Sequence, residues 1–244
     1  MRTLSDAELL MVWERGAGQT FADRALCLLA AAFPDAEAGA LASLTAGERD
    51  ERLLGLRRRL FGPRLVGLTN CPACDTRVEL TFDTVDLVSA PRAETTEELS
   101  LVIDNHEIRF RLPTAGDLAA LADSTGSPAP REQLLDRCVL SAKRDQEKVP
   151  TASLPPKVVD AVSNRMSEAD SLGDIQLSVN CPSCNHAWQA VFDIVSFLWS
   201  EMHAWAQRLL FDVHRLAGAY GWSEAEILSL NPLRRRSYLN LIGG

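Results

Sequence analysis

The sequence predicts a mostly helical α+β chain. Two zinc-knuckle β-hairpins meet in one four-cysteine zinc ribbon, between an N-terminal helical region and a long C-terminal helix. Three observations predict this. First, residues 70–85 read N-C-P-A-C-D-T-R-V-E-L-T-F-D-T-V and residues 180–195 read N-C-P-S-C-N-H-A-W-Q-A-V-F-D-I-V, with seven identities in sixteen positions. Second, apolar and β-prone residues flank each C-x-x-C turn, the pattern of a hairpin. Third, residues 194–220 carry apolar side chains at steps of three and four, the signature of an amphipathic helix.

The ribbon rests on the chemistry of its turns. Two residues between cysteines let one tight turn aim both sulfurs at one point. Pro72 and Pro182 preset φ in those turns. Asp75 and Asn185 follow, types that tolerate a left-handed backbone. Each knuckle supplies two soft ligands, so Cys71, Cys74, Cys181 and Cys184 form a tetrahedral thiolate set suited to structural Zn2+. With no open position, such a site is not catalytic. Two other readings of the cysteines are a redox pair and plain buried thiols. Redox pairs usually open a helix, and nothing after Cys74 or Cys184 resembles a helix start. His186 is an alternative ligand, but its counterpart in the first copy is Thr76.

Composition bounds the rest. The 244 residues suffice for one large domain or two small ones, and 46% are hydrophobic. No apolar run is long enough to span a bilayer. Asp6 and Glu8 stand where a signal peptide needs an apolar core, so a cytoplasmic protein is expected. The net charge of −8 argues against nonspecific nucleic-acid binding. The two basic runs, Arg57–Arg59 and Arg234–Arg236, read as solvated helix faces. The remaining cysteines, Cys27 and Cys138, sit in apolar runs and read as core thiols.

The expected organisation is a helical region at 1–62, a first knuckle hairpin at 63–88, an inserted hairpin and helices at 89–173, a second knuckle hairpin at 174–193 and C-terminal helices at 194–244. Ser5-x-x-Glu8, Thr20-x-x-Asp23 and Thr45-x-x-Glu48 open three helices. Residues 89–98 read as a loop, and Leu99–Ile103 with Glu107–Leu112 as a hairpin, with His106 an exposed turn residue. Thr114 caps a short helix at 115–122, and Ser124–Pro130 reads as a linker. Helices at about 131–143 and 155–169 follow. Asp193 caps the long helix and Gly221 closes it; Ser223-x-x-Glu226 opens another, and Asn231-Pro232 starts the last.

Two apolar rows run down the long helix. The main row is Val195, Leu198, Met202, Trp205, Leu209, Val213, Leu216 and Tyr220, edged by His203 and His214. The opposite row is Phe197, Ala204, Phe211 and Gly218, seven apart. A helix apolar on two sides is either buried within its own fold or offers one side to a partner. The residues favour self-burial; as a partner face, the row would act through Phe197, Ala204 and Phe211. No phosphate-binding glycine loop, G-x-S-x-G, H-E-x-x-H or Walker pattern occurs, and nothing nominates a nucleophile, acid or base. A non-enzyme is expected.

The order of motifs carries a resemblance. W-E-R-G at 13–16 and G-E-R-D at 47–50 precede L-F-G-P-R-L at 60–65 and the first knuckle. Then come I-R-F-R-L-P-T at 108–114, C-P-S-C with F-D-I-V-S-F-L-W at 192–199, and A-Y-G-W-S-E-A-E-I-L-S-L-N-P-L-R-R-R at 219–236. Over roughly 5–243 the chain resembles the T4-type baseplate hub assembly chaperones of contractile phages and phage-derived contractile injection systems. That resemblance implies a helper in assembling the baseplate or spike end of a tail, whose partner is a baseplate, hub or spike protein. The metal assignment rests on this sequence alone. Two other functions fit the residues: a zinc-ribbon nucleic-acid-binding or transcription adaptor, and a structural baseplate component that stays in the particle.

Overall fold

Local capping chemistry starts the N-terminal helices where the sequence places them. Ser5 and Glu8 close a capping box at the start of α1 (Asp6–Gly16). The Thr20 side chain accepts the Asp23 backbone N–H at α2 (Phe21–Ala32). Thr45 and Glu48 close a second box at α3 (Ala46–Phe61), which ends at Gly62 with φ 89°. These details come from a computed structural model that describes residues 1–37, 39–88, 98–122 and 130–242.

The three helices do not complete a core by themselves. Leu9, Val12, Leu28, Leu29, Leu53, Leu54 and Leu56 are buried together with Ile194, Val195, Leu198, Trp199 and Met202. The latter five belong to the long helix α8 (Ile194–Tyr220). Each fully buried large aliphatic side chain contributes about 1.5–3 kcal/mol relative to exposure. The first half of α8 therefore serves as the fourth wall of the N-terminal region.

Between α3 and α8 the described residues form three small antiparallel sheets. β1 (Arg64–Asn70) pairs with β2 (Arg77–Asp83), and β7 (Gln176–Asn180) pairs with β8 (Ala187–Val191). These are the two knuckle hairpins; a short helix, α4 (Thr84–Val88), follows the first. The third sheet is four-stranded, in the order β3 (Leu99–Ile103), β4 (His106–Phe110), β5 (Val139–Arg144), β6 (Glu147–Lys148). α5 (Ala115–Ala122) and α6 (Pro130–Cys138) join β4 to β5, and α7 (Pro156–Ala169) follows β6. Ile108, Phe110 and Ala142 from the strands bury against Leu135, Val158 and Val162 from α6 and α7.

The sheet corrects two expectations. The helix expected over 131–143 stops at Cys138, and the following residues form β5. Ala142 pairs with Ile108 and Lys143 with Glu107. The free edge of β4 captures this segment, and the pairing overrides a weak helical pattern. The turn that returns the chain uses Asp145 and Gln146 at φ 50° and 72°, without the Asn-Gly that would mark it. His106 is not an exposed turn residue. The turn is Asp104-Asn105, both at positive φ; His106 opens β4, is 5% exposed, and its Nδ1 lies 2.7 Å from the Asp104 carbonyl. Of the two expected loops, 89–97 and 123–129 lie outside the described residues, and Pro130 already belongs to α6.

After α8, Gly221 takes the left-handed conformation that releases the chain. α9 (Glu224–Ser229) starts on the Ser223/Glu226 capping box, and α10 (Pro232–Ile242) returns along α8. Val213, Leu216 and Ile227 are buried there beside Trp222, Tyr238 and Leu239. Trp222 stacks on Tyr220 and meets Tyr238 edge-on, with centroids 4.6 and 4.9 Å apart. Among the described residues helix accounts for 55% and strand for 20%, so the expected mostly helical α+β class holds. Among the described residues no helix is long and apolar enough to cross a membrane.

Candidate metal centre

Both C-x-x-C turns close in the same way. In the first, the Cys71 N–H donates to the Thr76 carbonyl and the Asp75 N–H to the Cys71 carbonyl, each at 2.9 Å. In the second, the Cys181 N–H donates to the His186 carbonyl at 2.9 Å and the Asn185 N–H to the Cys181 carbonyl at 3.0 Å. Asp75 and Asn185 both stand at φ 56°, as residues of their type allow. The sequence repeat is thus a repeat of backbone geometry.

The two turns face each other. All four sulfurs lie within 4.8 Å of one another. Cys71 Sγ is 3.7 Å from Cys184 Sγ, and Cys74 Sγ is 3.6 Å from Cys181 Sγ. A tetrahedral ion with metal–sulfur bonds of about 2.3 Å requires sulfur separations of about 3.8 Å. The cluster therefore has the dimensions to hold one tetrahedral metal ion through Cys71, Cys74, Cys181 and Cys184.

The two exposed thiols titrate in opposite directions. Thr76, through its hydroxyl and its backbone N–H, holds the Cys74 thiol down to about 6. The His186 backbone also favours a Cys184 thiolate, but the crowding of Cys74, Cys181 and Cys71, with partial desolvation, pushes that thiol up to about 12. Four neighbouring thiolates repel one another unless a cation sits among them. The backbone donors of Thr76 and His186 were not foreseen from sequence, although each stands two residues after the second cysteine of its copy. The His186 ring stacks on Trp188, with centroids 6.1 Å apart, instead of joining the sulfurs. A strand follows each knuckle, so the helix that a redox pair would open is absent here.

Inner faces of the hairpins support the cluster. Cys71, Val78, Val179 and Cys181 are buried together, flanked by Leu80, Leu177 and Trp188. At the far end, Phe82 and Phe192 meet edge-to-face with centroids 5.2 Å apart. These are equivalent positions of the repeat, so the ribbon is pinned by sulfur at one end and by aromatic packing at the other.

The ribbon leads straight into α8. The Asp193 carboxylate accepts the Val195 N–H at 2.9 Å, capping the helix one residue past Phe192. The second apolar row divides. Phe197 is half-buried against Phe192, with centroids 5.4 Å apart, and beneath the Arg57 guanidinium. Ala204, Phe211 and Gly218 are exposed, Phe211 by 61%. Self-burial thus describes only the first position of the row.

Other expectations need correction. Arg57 is not on a solvated face: it is 3% exposed and binds Glu201 and the Gly62 carbonyl. Arg235 is likewise buried and pairs with Asp6 at 2.6 Å. Runs of like charge conceal one inward residue each, because packing selects by direction and not by type. Cys138 is buried, which pushes its thiol up to about 11. Cys27 is only half-buried, with Sγ 3.2 Å from the Gln19 side-chain oxygen.

The family described as T4 bacteriophage base plate protein matches residues 3–199. The chain belongs to that family. No curated protein and no solved structure matches it. In this base plate protein the matched span runs from α1 into the first turns of α8 and includes both cysteine hairpins. The rest of α8, with Ala204 and Phe211, and α9 and α10 lie beyond it.

Proposed function

We propose that this base plate family member is a non-enzymatic assembly factor. It acts in the cytoplasm as a chaperone for the baseplate or spike end of a contractile tail or contractile injection system. One structural Zn2+ on Cys71, Cys74, Cys181 and Cys184 would stabilise it. Zinc is favoured by four thiolate donors, tetrahedral spacing and the lack of an open position.

The observation that carries the chaperone reading is Phe211, a large aromatic 61% exposed on the outer side of α8. Ala204 lies two turns before it, and half-buried Phe197 marks the inner end of the same row. The N-terminal helices pack on the first half of α8, and α9 and α10 on the second, so the row is preorganised to bind a hub or spike protein.

The test is co-expression with the baseplate, hub and spike proteins encoded alongside. Phe211→Ser should abolish co-purification while zinc content and helicity stay at wild-type levels. Retained co-purification would refute the partner face. Absence from finished particles is expected of a chaperone; stoichiometric presence would make the chain a structural component. Oligonucleotide binding with a steep salt dependence would instead favour the adaptor.

A further inference from the structure

We infer that the cleft between α8 and α10 is a carboxylate-binding groove that receives an acidic, apolar segment of a protein partner. The inference deepens the partner-face reading and rests on it.

Arg235 supplies the central observation. Its side chain is 8% exposed, and its Nη2 donates to Asp6 Oδ2 at 2.6 Å. Its Nη1 has no partner, the one buried side-chain nitrogen or oxygen in that condition among the described residues. A buried donor left unpaired is costly, and a charged one more so. Arg235 also lines a cleft of about 460 Å³ whose other charged residues are Arg208, Arg236 and Asp212. Arg208 and Arg236 are exposed and make no ion pair with any described residue. Asp6 offsets the charge of Arg235, so the free charge is that of Arg208 and Arg236 against Asp212, a net positive cleft on a chain of net charge −8.

The walls decide the kind of anion. Half-buried Trp205 and exposed Phe211 line the same cleft. Aromatic rings beside guanidiniums also suit stacked bases, but the acidic chain as a whole repels polyanions. A protein segment that sets Asp or Glu beside apolar side chains satisfies both features at once. Two packed helices with an apolar floor are a common seat for an amphipathic helix. Guanidiniums at the rim grip carboxylates in paired hydrogen bonds that lysine cannot reproduce.

The test titrates the full-length, zinc-loaded chain into a fluorescein-labelled amphipathic peptide of Glu, Leu and Ala, followed by anisotropy. Binding should weaken about tenfold or more with Arg208→Glu plus Arg236→Glu, the effect of losing a charge-assisted hydrogen bond. That variant should gain affinity for the same peptide with Lys in place of Glu. The same charge change at exposed Arg58 and Arg64 should leave binding unaltered. No binding by the wild type, or equal binding by the reversed variant, overturns the inference. So does stronger binding of a single-stranded oligonucleotide at the same cleft. If Phe211→Ser abolishes peptide binding and the arginine reversal does not, the carboxylate assignment falls and the partner face stands. If neither change matters, both fall.

Discussion

Arg57 on α3 grips both carboxylate oxygens of Glu201 on α8, Nε to Oε2 at 2.8 Å and Nη2 to Oε1 at 2.7 Å. Its third contact is the Gly62 carbonyl at 2.7 Å, where α3 ends. One side chain thus closes a helix terminus and locks the N-terminal region to the long helix. Removing it strands Glu201 and uncaps the turn. Arg57→Ala should lower stability by about 2–3 kcal/mol, below the full cost of breaking a buried pair because Glu201 retains some solvent. A urea midpoint unchanged from wild type would contradict this.

A close approach secures the same interface from α1. A Cβ added to Gly16 would lie 2.2 Å from the Trp199 ring, which is itself buried. A bulky ring on a packed helix cannot retreat cheaply. Gly16→Ala should cost about 1–3 kcal/mol through overpacking, although alanine is the better helix former. The check is a thermal melt of Gly16→Ala against Gly18→Ala; Gly18 has no neighbour within reach, so backbone strain is its sole penalty.

Acid should act through Asp117. Burial alone would raise this carboxyl, but the Arg111 guanidinium and two donors from Thr114 hold it at about 2, below the ordinary 3.8. A depressed folded value stabilises the protein above the unfolded value. That contribution should therefore be complete above about pH 4 and vanish as pH falls towards 2. Asp117→Asn should flatten the stability profile in that window. An identical acid limb in the variant would assign the loss to other groups.

Metal removal should separate the ribbon from the helical core. The sulfurs hold residues 113 apart in sequence, whereas the buried residues of the main core include no cysteine ligand. Full-length protein should bind one zinc per chain, contributing roughly 10–16 kcal/mol of apparent binding energy at pH 7. Cys71→Ser and Cys181→Ser should each lose it, and chelation should expose Trp188 while much helicity remains. Independent loss of metal from one hairpin alone would contradict a shared site.

Much of this molecule was legible because its decisive signals are short-range. The four clustered cysteines announce themselves by spacing, proline and a repeated register. Helix starts follow from Ser5, Thr20, Thr45, Asp193 and Ser223, whose side chains act on backbone groups two or three residues away. The β5 strand escaped because its pairing partner, β4, lies about thirty residues back and supplies the free edge that decides its conformation.

The sequence by itself determined the four clustered cysteines, their two C-x-x-C turns and the helix caps at Ser5, Thr20, Thr45, Asp193 and Ser223, since each is settled by bonds among near neighbours. Only the tertiary structure decided which arginine of each basic run turns inward, and that Phe197 is covered while Phe211 is bare. Those outcomes depend on what stands opposite a side chain in space, and periodicity along one helix carries no record of its neighbour.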